Sequence, residues 1–448
     1  MKQKYAKKIF YGVLLLAIGV AVTGTLACAY HRGQPGGQAA MAEPAPGTVT
    51  RPLAFSPLLH WPKNPQAVVY EMEIFRYAPA QLPTDAVSPQ AVYRTRAIYQ
   101  NYFNPPLQDI APDMLGRAPL YWRVRAIGFD GQPVSAFSKL QILYTSKAEP
   151  DMEAPVPLAH YGGKRGETLL YPVYSWAGQH DAAGYEVCIY RDNPEEKPQA
   201  QPVERLTTEN LEIYDEQPRI GTYYWRVRAL DSAQQPLGFW SAVETIRTVP
   251  EDHWQVAVLG DSISHGGGHY SYNPADFEFS WLHYLDFDTL NLSCSGDTSA
   301  STLARFDRDV LPFQPRYLLV FTGTNSLRGG AEPEEVINDL QAIREKALAH
   351  GIKPILMTLP PINPAAIHHV FDEPTVDDWQ ERFRVVNRYI RTQVHIDIAH
   401  LFPTKNGVLA PEMALDGLHE DIAGKRMIGE AVNRAWPRVR READAETP

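Results

Sequence analysis

The sequence predicts a multidomain chain: two all-β sandwich modules, then a three-layer α/β domain built on a parallel, doubly wound sheet. Three observations carry this reading. One pattern of aromatic and charged residues occurs twice between residues 51 and 248. Beyond about residue 252, short apolar runs alternate with helical stretches. Three of those runs end directly in small polar motifs, GDS, SGDTS and GTNS.

The first element is N-terminal. A lysine-rich start precedes an uncharged apolar run over 9–30, long enough to span a hydrocarbon core with its lysines on the cytoplasmic side. Three fates of segment 1–30 are open. It is retained as an anchor, cleaved after the small residues Ala27-Cys28-Ala29, or lipidated at Cys28, where Thr25 departs from the leucine usual in a lipoprotein box. Each leaves the remainder extracytoplasmic, at the cell surface, in the periplasm or secreted, and the first tethers it to the membrane. Residues 31–50, rich in Gly, Pro and Ala, read as a flexible linker. A net charge of −10 excludes the basic field of a nucleic-acid binder. The three cysteines have neither metal-ligand spacing nor a disulfide framework, so no metal or cofactor is expected.

The modules are expected at 51–147 and 154–249. Trp61 precedes Tyr70 by the same interval as Trp176 precedes Tyr185, and YWRVRA stands at both 121–126 and 224–229. Each copy is followed by an aromatic-serine pair, Phe137-Ser138 and Trp240-Ser241. The alternation in YWRVRA suits a strand with one face in a core and its arginines in water. These motifs resemble those of fibronectin type III domains, which implies spacer or presentation modules. Tyr77 and Tyr102 are the residues such modules would offer to a glycan or a protein.

The α/β domain is expected over 252–440, with 441–448 a disordered tail. QVAVLG, TLNLS, YLLVFTG, KPILMTL and VHIDIA read as strands. Residues 333–351 read as a helix: Val336, Ile337, Leu340, Ile343, Ala347 and Leu348 share one face, Pro333 suits the first turn and Gly351 the stop. In such sheets ligands bind beyond the C-terminal strand ends. The three polar motifs fall there and share one site.

The stretch GDSISHGGG raises two chemistries, a phosphate cradle and a nucleophile. The cradle lacks both the GxxxxGK[ST] lysine and GxGxxG, and GDSIS is not the GxSxG elbow. A nucleophilic Ser262 needs a base and an orienting carboxylate. DGLHED supplies both in Asp416 and His419. Acyl transfer also needs donors for an oxyanion, and the N–H groups of Ser262 and Gly296 and the amide of Asn325 are groups of that kind.

These four ordered blocks, Ser262 in GDS, Gly296 in SGDTS, Asn325 in GTN and Asp416 with His419 in DGLH, resemble the SGNH/GDSL hydrolases over roughly 254–437. SGDTSASTLARF and QPRYLLVFTGTNSLRGG are most similar to the thioesterase/lysophospholipase branch. The resemblance implies a flavodoxin-like domain and a serine esterase with Ser262, His419 and Asp416 as triad. Ser326 stands where many members have Asp, and Asn291 only loosely matches an asparagine usual before the second block. Candidate pocket residues are Asp261, His265, Tyr270, Tyr272 and Ser326. Glycines 266–268 are expected to form a wide, mobile entrance. Phe277, Phe279 and Trp281 suit either a sugar-stacking wall or a packed flap. The expected substrate is an acylated small molecule or polysaccharide, first an O-acetyl or O-acyl group on cell-wall or extracellular carbohydrate. The alternatives are lipid esters or thioesters, and an inert hydrolase fold on a surface binding protein.

Overall fold

A computed structural model describes residues 48–446, apart from 50–51, 54, 56, 63, 65–66, 68, 99–100, 129–130, 147–153, 159–160, 180–181 and 269–275. The uncharged run at 9–30, Cys28 and the linker lie outside the described residues. Among the described residues no helix is long and apolar enough to cross a membrane.

The first N-terminal unit has an antiparallel sheet in the order Tyr93–Ile98, Val69–Phe75, Leu120–Ile127, Gln141–Leu143, with a separate pair, Leu59–His60 and Tyr102–Phe103. The second pairs Glu204–Thr208, Gly184–Tyr190 and Gly221–Leu230 in one sheet, joined by Pro236–Leu237 and Glu244–Thr248, and Glu212–Tyr214, Val173–Ala177 and Val156–Pro157 in another. The repeated aromatics explain the repeated pattern. Trp61 and Tyr70 meet at 5.3 Å between ring centroids, and so do Trp176 and Tyr185. Each pair sits in its own unit's core.

The arginines of YWRVRA depart from the expectation of a solvated face. Arg123 and Arg125 are buried, paired with Glu73 and Glu71, and stacked at 3.9 and 4.4 Å on the Phe137 ring. Arg226 and Arg228 lie on Trp240 at 4.5 and 4.4 Å. The serines lock these lids, since Ser138 Oγ and Ser241 Oγ accept the N–H of Val124 and Val227 at 3.1 and 3.0 Å. The aromatic-serine pair therefore covers the arginine face. A guanidinium pressed on an aromatic ring and paired with a carboxylate is stable away from water.

The C-terminal domain is built on six parallel strands: β1 (Arg165–Leu169), β2 (Val256–Gly260), β3 (Thr289–Asn291), β4 (Tyr317–Phe321), β5 (Lys353–Met357) and β6 (His395–Ile396). Their order is β6-β5-β4-β2-β3-β1. The last five are the apolar runs read from sequence, and β2–β5 are buried except for Lys353, as a sheet covered on both faces requires. Around it lie α1 (Ser262–His265), α2 (Ser299–Ala304), α3 (Phe306–Asp309), α4 (Thr324–Arg328), α5 (Pro333–Ala349), α6 (Pro364–Phe371), α7 (Trp379–Ile390) and α8 (Ile422–Ala445). Helix α5 starts on Pro333 and buries Val336, Leu340, Ile343 and Ala347.

Two boundaries differ from the sequence reading. Strand β1 lies inside the range expected for the second sandwich, yet it pairs in parallel with β3. Thr289 N–H donates to Lys164 O at 2.7 Å and Leu170 N–H to Asn291 O at 2.9 Å. Leu170 and Tyr171 then enter the α/β core. The expected disordered tail is helical through Ala445, because Val439 and Ala443 continue the buried face of α8 and Asp444 accepts from Tyr317 Oη.

Candidate active site

The site stands on the C-terminal edge of β2, β3 and β4. Gly260 ends β2 where a Cβ would lie 2.3 Å from Phe321 O of the paired strand, so only glycine lets the strands close there. The chain then turns through Asp261 into α1. Asp261 is a helix cap and not a pocket wall: it is buried and its carboxylate accepts the Ile263 N–H at 3.1 Å. Burial pushes its carboxyl up to about 7.

Ser262 is the first residue of α1, so its own N–H has no acceptor within the helix. Its Oγ lies 2.8 Å from His419 Nε2, and His419 Nδ1 lies 2.9 Å from Asp416 Oδ2. Asp416 is fully buried, and its Oδ1 accepts the N–H groups of Leu418 and His419, both at 2.8 Å. Burial alone would raise this carboxyl, but the His419 imidazole and these donors outweigh it and hold it below its ordinary value. An ionised Asp416 can only accept, so Nδ1 carries the ring proton and Nε2 faces Ser262 as an acceptor. That is the protonation pattern a general base needs.

Gly296, in the turn after β3, adopts φ +82°, and a Cβ there would meet nothing within 4 Å. The left-handed backbone explains the glycine. Asn325 sits on α4 after β4. Its Nδ2 donates to Asp297 O at 3.0 Å, and its Oδ1 accepts from Arg328 Nε at 3.1 Å. One of the two amide hydrogens is thereby used, and the second is left to point elsewhere. The edge thus gathers hydroxyl, imidazole, carboxylate and N–H donors, a set suited to acyl transfer.

The remaining candidates fall elsewhere. Ser326 accepts the Ser299 N–H at 2.9 Å and, with Asn325, lines a cavity of about 670 Å³ whose wall also includes Thr298, Glu335, Asn338 and Asp339. His265 is buried behind the site with both ring nitrogens hydrogen-bonded. Tyr270 and Tyr272 lie outside the described residues. Gly266–Gly268 are buried, Gly267 N–H donates to Phe279 O at 3.1 Å, and a Cβ on Gly268 would meet Phe279 at 2.8 Å. They are packed rather than an open entrance. Phe279 and Trp281 are buried as well, which resolves them as packing and not a sugar-stacking wall. Among the described residues no group of three or more His, Cys, Asp or Glu side chains is placed to hold a metal.

Sequence reasoning missed the charged groups beneath the site. Arg305 reaches three places at once: Nη2 to Gly260 O at 2.9 Å, Nη1 to Leu292 O at 2.5 Å, and Nε to Asp297 at 2.5 Å. It ties the ends of β2 and β3 to the residue that holds Asn325. Lys425 of α8, fully buried, donates to Ile263 O at 2.8 Å and lies 3.4 Å from Glu420. Arg328 is paired with Glu373 at 2.9 Å. Arg328 had a signal, its three-residue spacing from Asn325 on one helix. The other two had none, because burial of a charge is a property of the fold.

A serine, a histidine and a buried carboxylate in one hydrogen-bond chain, beyond the C-terminal edge of a parallel sheet, are the groups that nucleophilic catalysis by a serine requires. Residues 258–427 match the model of the GDSL-like Lipase/Acylhydrolase family, and this likeness supports a carboxylic-ester hydrolase. The chain is 32% identical over 129 residues to the lipoprotein YqeF of Bacillus subtilis, covering 26% of this chain and 53% of that one. It thus spans about half of that relative's length. It is 28% identical over 195 residues to Esterase TesA of Pseudomonas aeruginosa, covering 41% of this chain and 86% of the other. A GDSL-like lipase from Bacteroides thetaiotaomicron superposes with a TM-score of 0.33 at 20% identity, over 42% of this chain and 90% of that one.

Proposed function

We propose that this protein is an extracytoplasmic serine esterase. The observation that carries the reading is the unbroken chain Ser262 Oγ, His419, Asp416. Ser262 Oγ attacks the ester carbonyl while His419 Nε2 takes its proton, and Asp416 steadies the imidazolium. The N–H groups of Ser262 and Gly296 and the free amide hydrogen of Asn325 receive the oxyanion. His419 returns the proton to the departing alcohol, and an activated water then releases the acid and restores Ser262. In p-nitrophenyl acetate hydrolysis, Ser262→Ala lowers kcat by at least about 1,000-fold; undiminished turnover contradicts the mechanism.

For the substrate we infer an O-acyl group on cell-wall or extracellular carbohydrate. The uncharged run at 9–30 behind its lysines supports a position outside the cytoplasmic membrane. The two β units support a fibronectin type III-like spacer that carries the domain toward a polymer. The cavity beside Asn325 is lined by small and polar residues, Ala300, Gly329 and Ala331 among them, with no large aliphatic or aromatic side chain to seat a long acyl chain. The family's lipase and acylhydrolase description favours a second reading, a long acyl ester or thioester. An acyl-length series run beside acetate release from acetylated polysaccharides separates the two. Preference for acetyl supports the carbohydrate reading, and a rate rising with chain length favours the lipid one.

A further inference from the structure

His265 follows the nucleophile by three residues, yet it faces away from the Ser262–His419 pair and takes no part in the proton transfer. Its ring is 2% exposed and fills the seam between the α/β domain and the second β unit. Nε2 lies 2.7 Å from the carbonyl oxygen of Tyr171, a group that only accepts. The ring proton is therefore on Nε2, and Nδ1 is a bare acceptor. Two donors converge on it, both from one residue: Ser295 Oγ at 2.8 Å and Ser295 N–H at 3.2 Å. Ser295 immediately precedes Gly296. Burial, with Arg305 nearby, lowers the imidazole to about 4, so the neutral tautomer persists through the working pH range.

The far side of this link is equally fixed. Tyr171 directly follows Leu170, whose N–H donates to Asn291 O, and its hydroxyl donates to Asp309, which also accepts from Arg305. Asn291 Nδ2 in turn donates to Ser264 O at 2.9 Å and His265 O at 3.1 Å. The Tyr214 ring, from the second β unit, stands edge-on to His265 at 6.2 Å. The loop after β2, the turn after β3 and the segment that follows β1 thus meet on one imidazole.

We propose that His265 is a positioning residue for acyl transfer, whose Nδ1 holds the Ser295–Gly296 turn so that the Gly296 N–H is presented to the oxyanion. The proposal rests on the reading of Gly296 as an oxyanion donor. Its two bonds make separable demands. His265→Asn keeps an acceptor near the Nδ1 position and gives up the reach to Tyr171. His265→Gln keeps a donor near the Nε2 position and gives up the acceptor for Ser295.

The test is p-nitrophenyl acetate turnover by the full chain and both variants, with kcat normalised to sites titrated by a fluorophosphonate so that unfolded protein does not count. The expected result is a kcat at least about tenfold lower in His265→Gln with KM within about twofold, and His265→Asn within about threefold of the parent, since only part of one oxyanion donor's effect is lost. The reverse order, losses of equal size in both variants, or no loss in either overturns the proposal, as each makes His265 a filler of the seam. Ser262→Ala measured in parallel keeps the two ideas apart. Retained turnover there overturns the esterase reading, whereas lost turnover there with an unaffected His265→Gln overturns only the positioning role.

Discussion

Asn325 shows how much of this site is set by single residues around a motif. Its carbonyl is held by Arg328 and one amide hydrogen by Asp297, so its orientation is decided before any substrate arrives. Asn325→Ala is expected to lower kcat by about 100- to 1,000-fold, the usual effect of deleting an oxyanion donor. Arg328→Met leaves the amide held by Asp297 alone, and steady-state kinetics are expected to show a smaller loss in kcat, about 10- to 100-fold, at little change in KM. Asp261 makes a different prediction. Its carboxyl, raised by burial to about 7 against an ordinary 3.8, keeps in the folded state a proton that the unfolded chain releases between about pH 4 and 7. Folding stability therefore declines as pH rises through that window. Asp261→Asn keeps the acceptor for Ile263 and removes the titration, so its stability relative to the parent in urea rises from pH 4.5 to pH 8. A constant difference would refute this. At this scale the polar motifs were legible because GDS, SGDTS, GTN and DGLH are local strings. Arg305 and Lys425 were not, since their roles are contacts between distant segments.

Among the elements, the five apolar strands were legible because their burial on both faces leaves continuous apolar runs. Strand β1 was not. RGETL carries no such run, and it joins the sheet through backbone bonds to Thr289 and Asn291. The YWRVRA strands were read in the right place with the wrong environment. Periodicity tells which side chains share a face, but Phe137 and Trp240 decide whether that face sees water. The close approach of β2 and β4 offers a test at this scale. Gly260→Ala sets a Cβ against Phe321 O, and a loss of about 1–3 kcal/mol is expected as a lower denaturant midpoint at unchanged slope. An unshifted midpoint would show that the strand pair has room to spare.

Across the whole molecule, the second β unit and the hydrolase domain share β1, the Tyr171–Asp309 bond and the His265 seam. A chain beginning at residue 252 leaves β3 as a bare edge and removes Leu170 and Tyr171 from the core. Its thermal midpoint is expected to fall by about 4 °C or more relative to a chain beginning at residue 154; equal midpoints would make the two units independent. The central claim is narrower than this architecture: Ser262 is the group that forms the acyl-enzyme. The most direct measurement is peptide mapping of the intact protein after treatment with a fluorophosphonate. The account predicts one adduct per chain, on Ser262, and none in His419→Gln over the same interval. An adduct confined to Ser295, Ser299 or Ser326, or ester hydrolysis that continues with Ser262 fully modified, would contradict it.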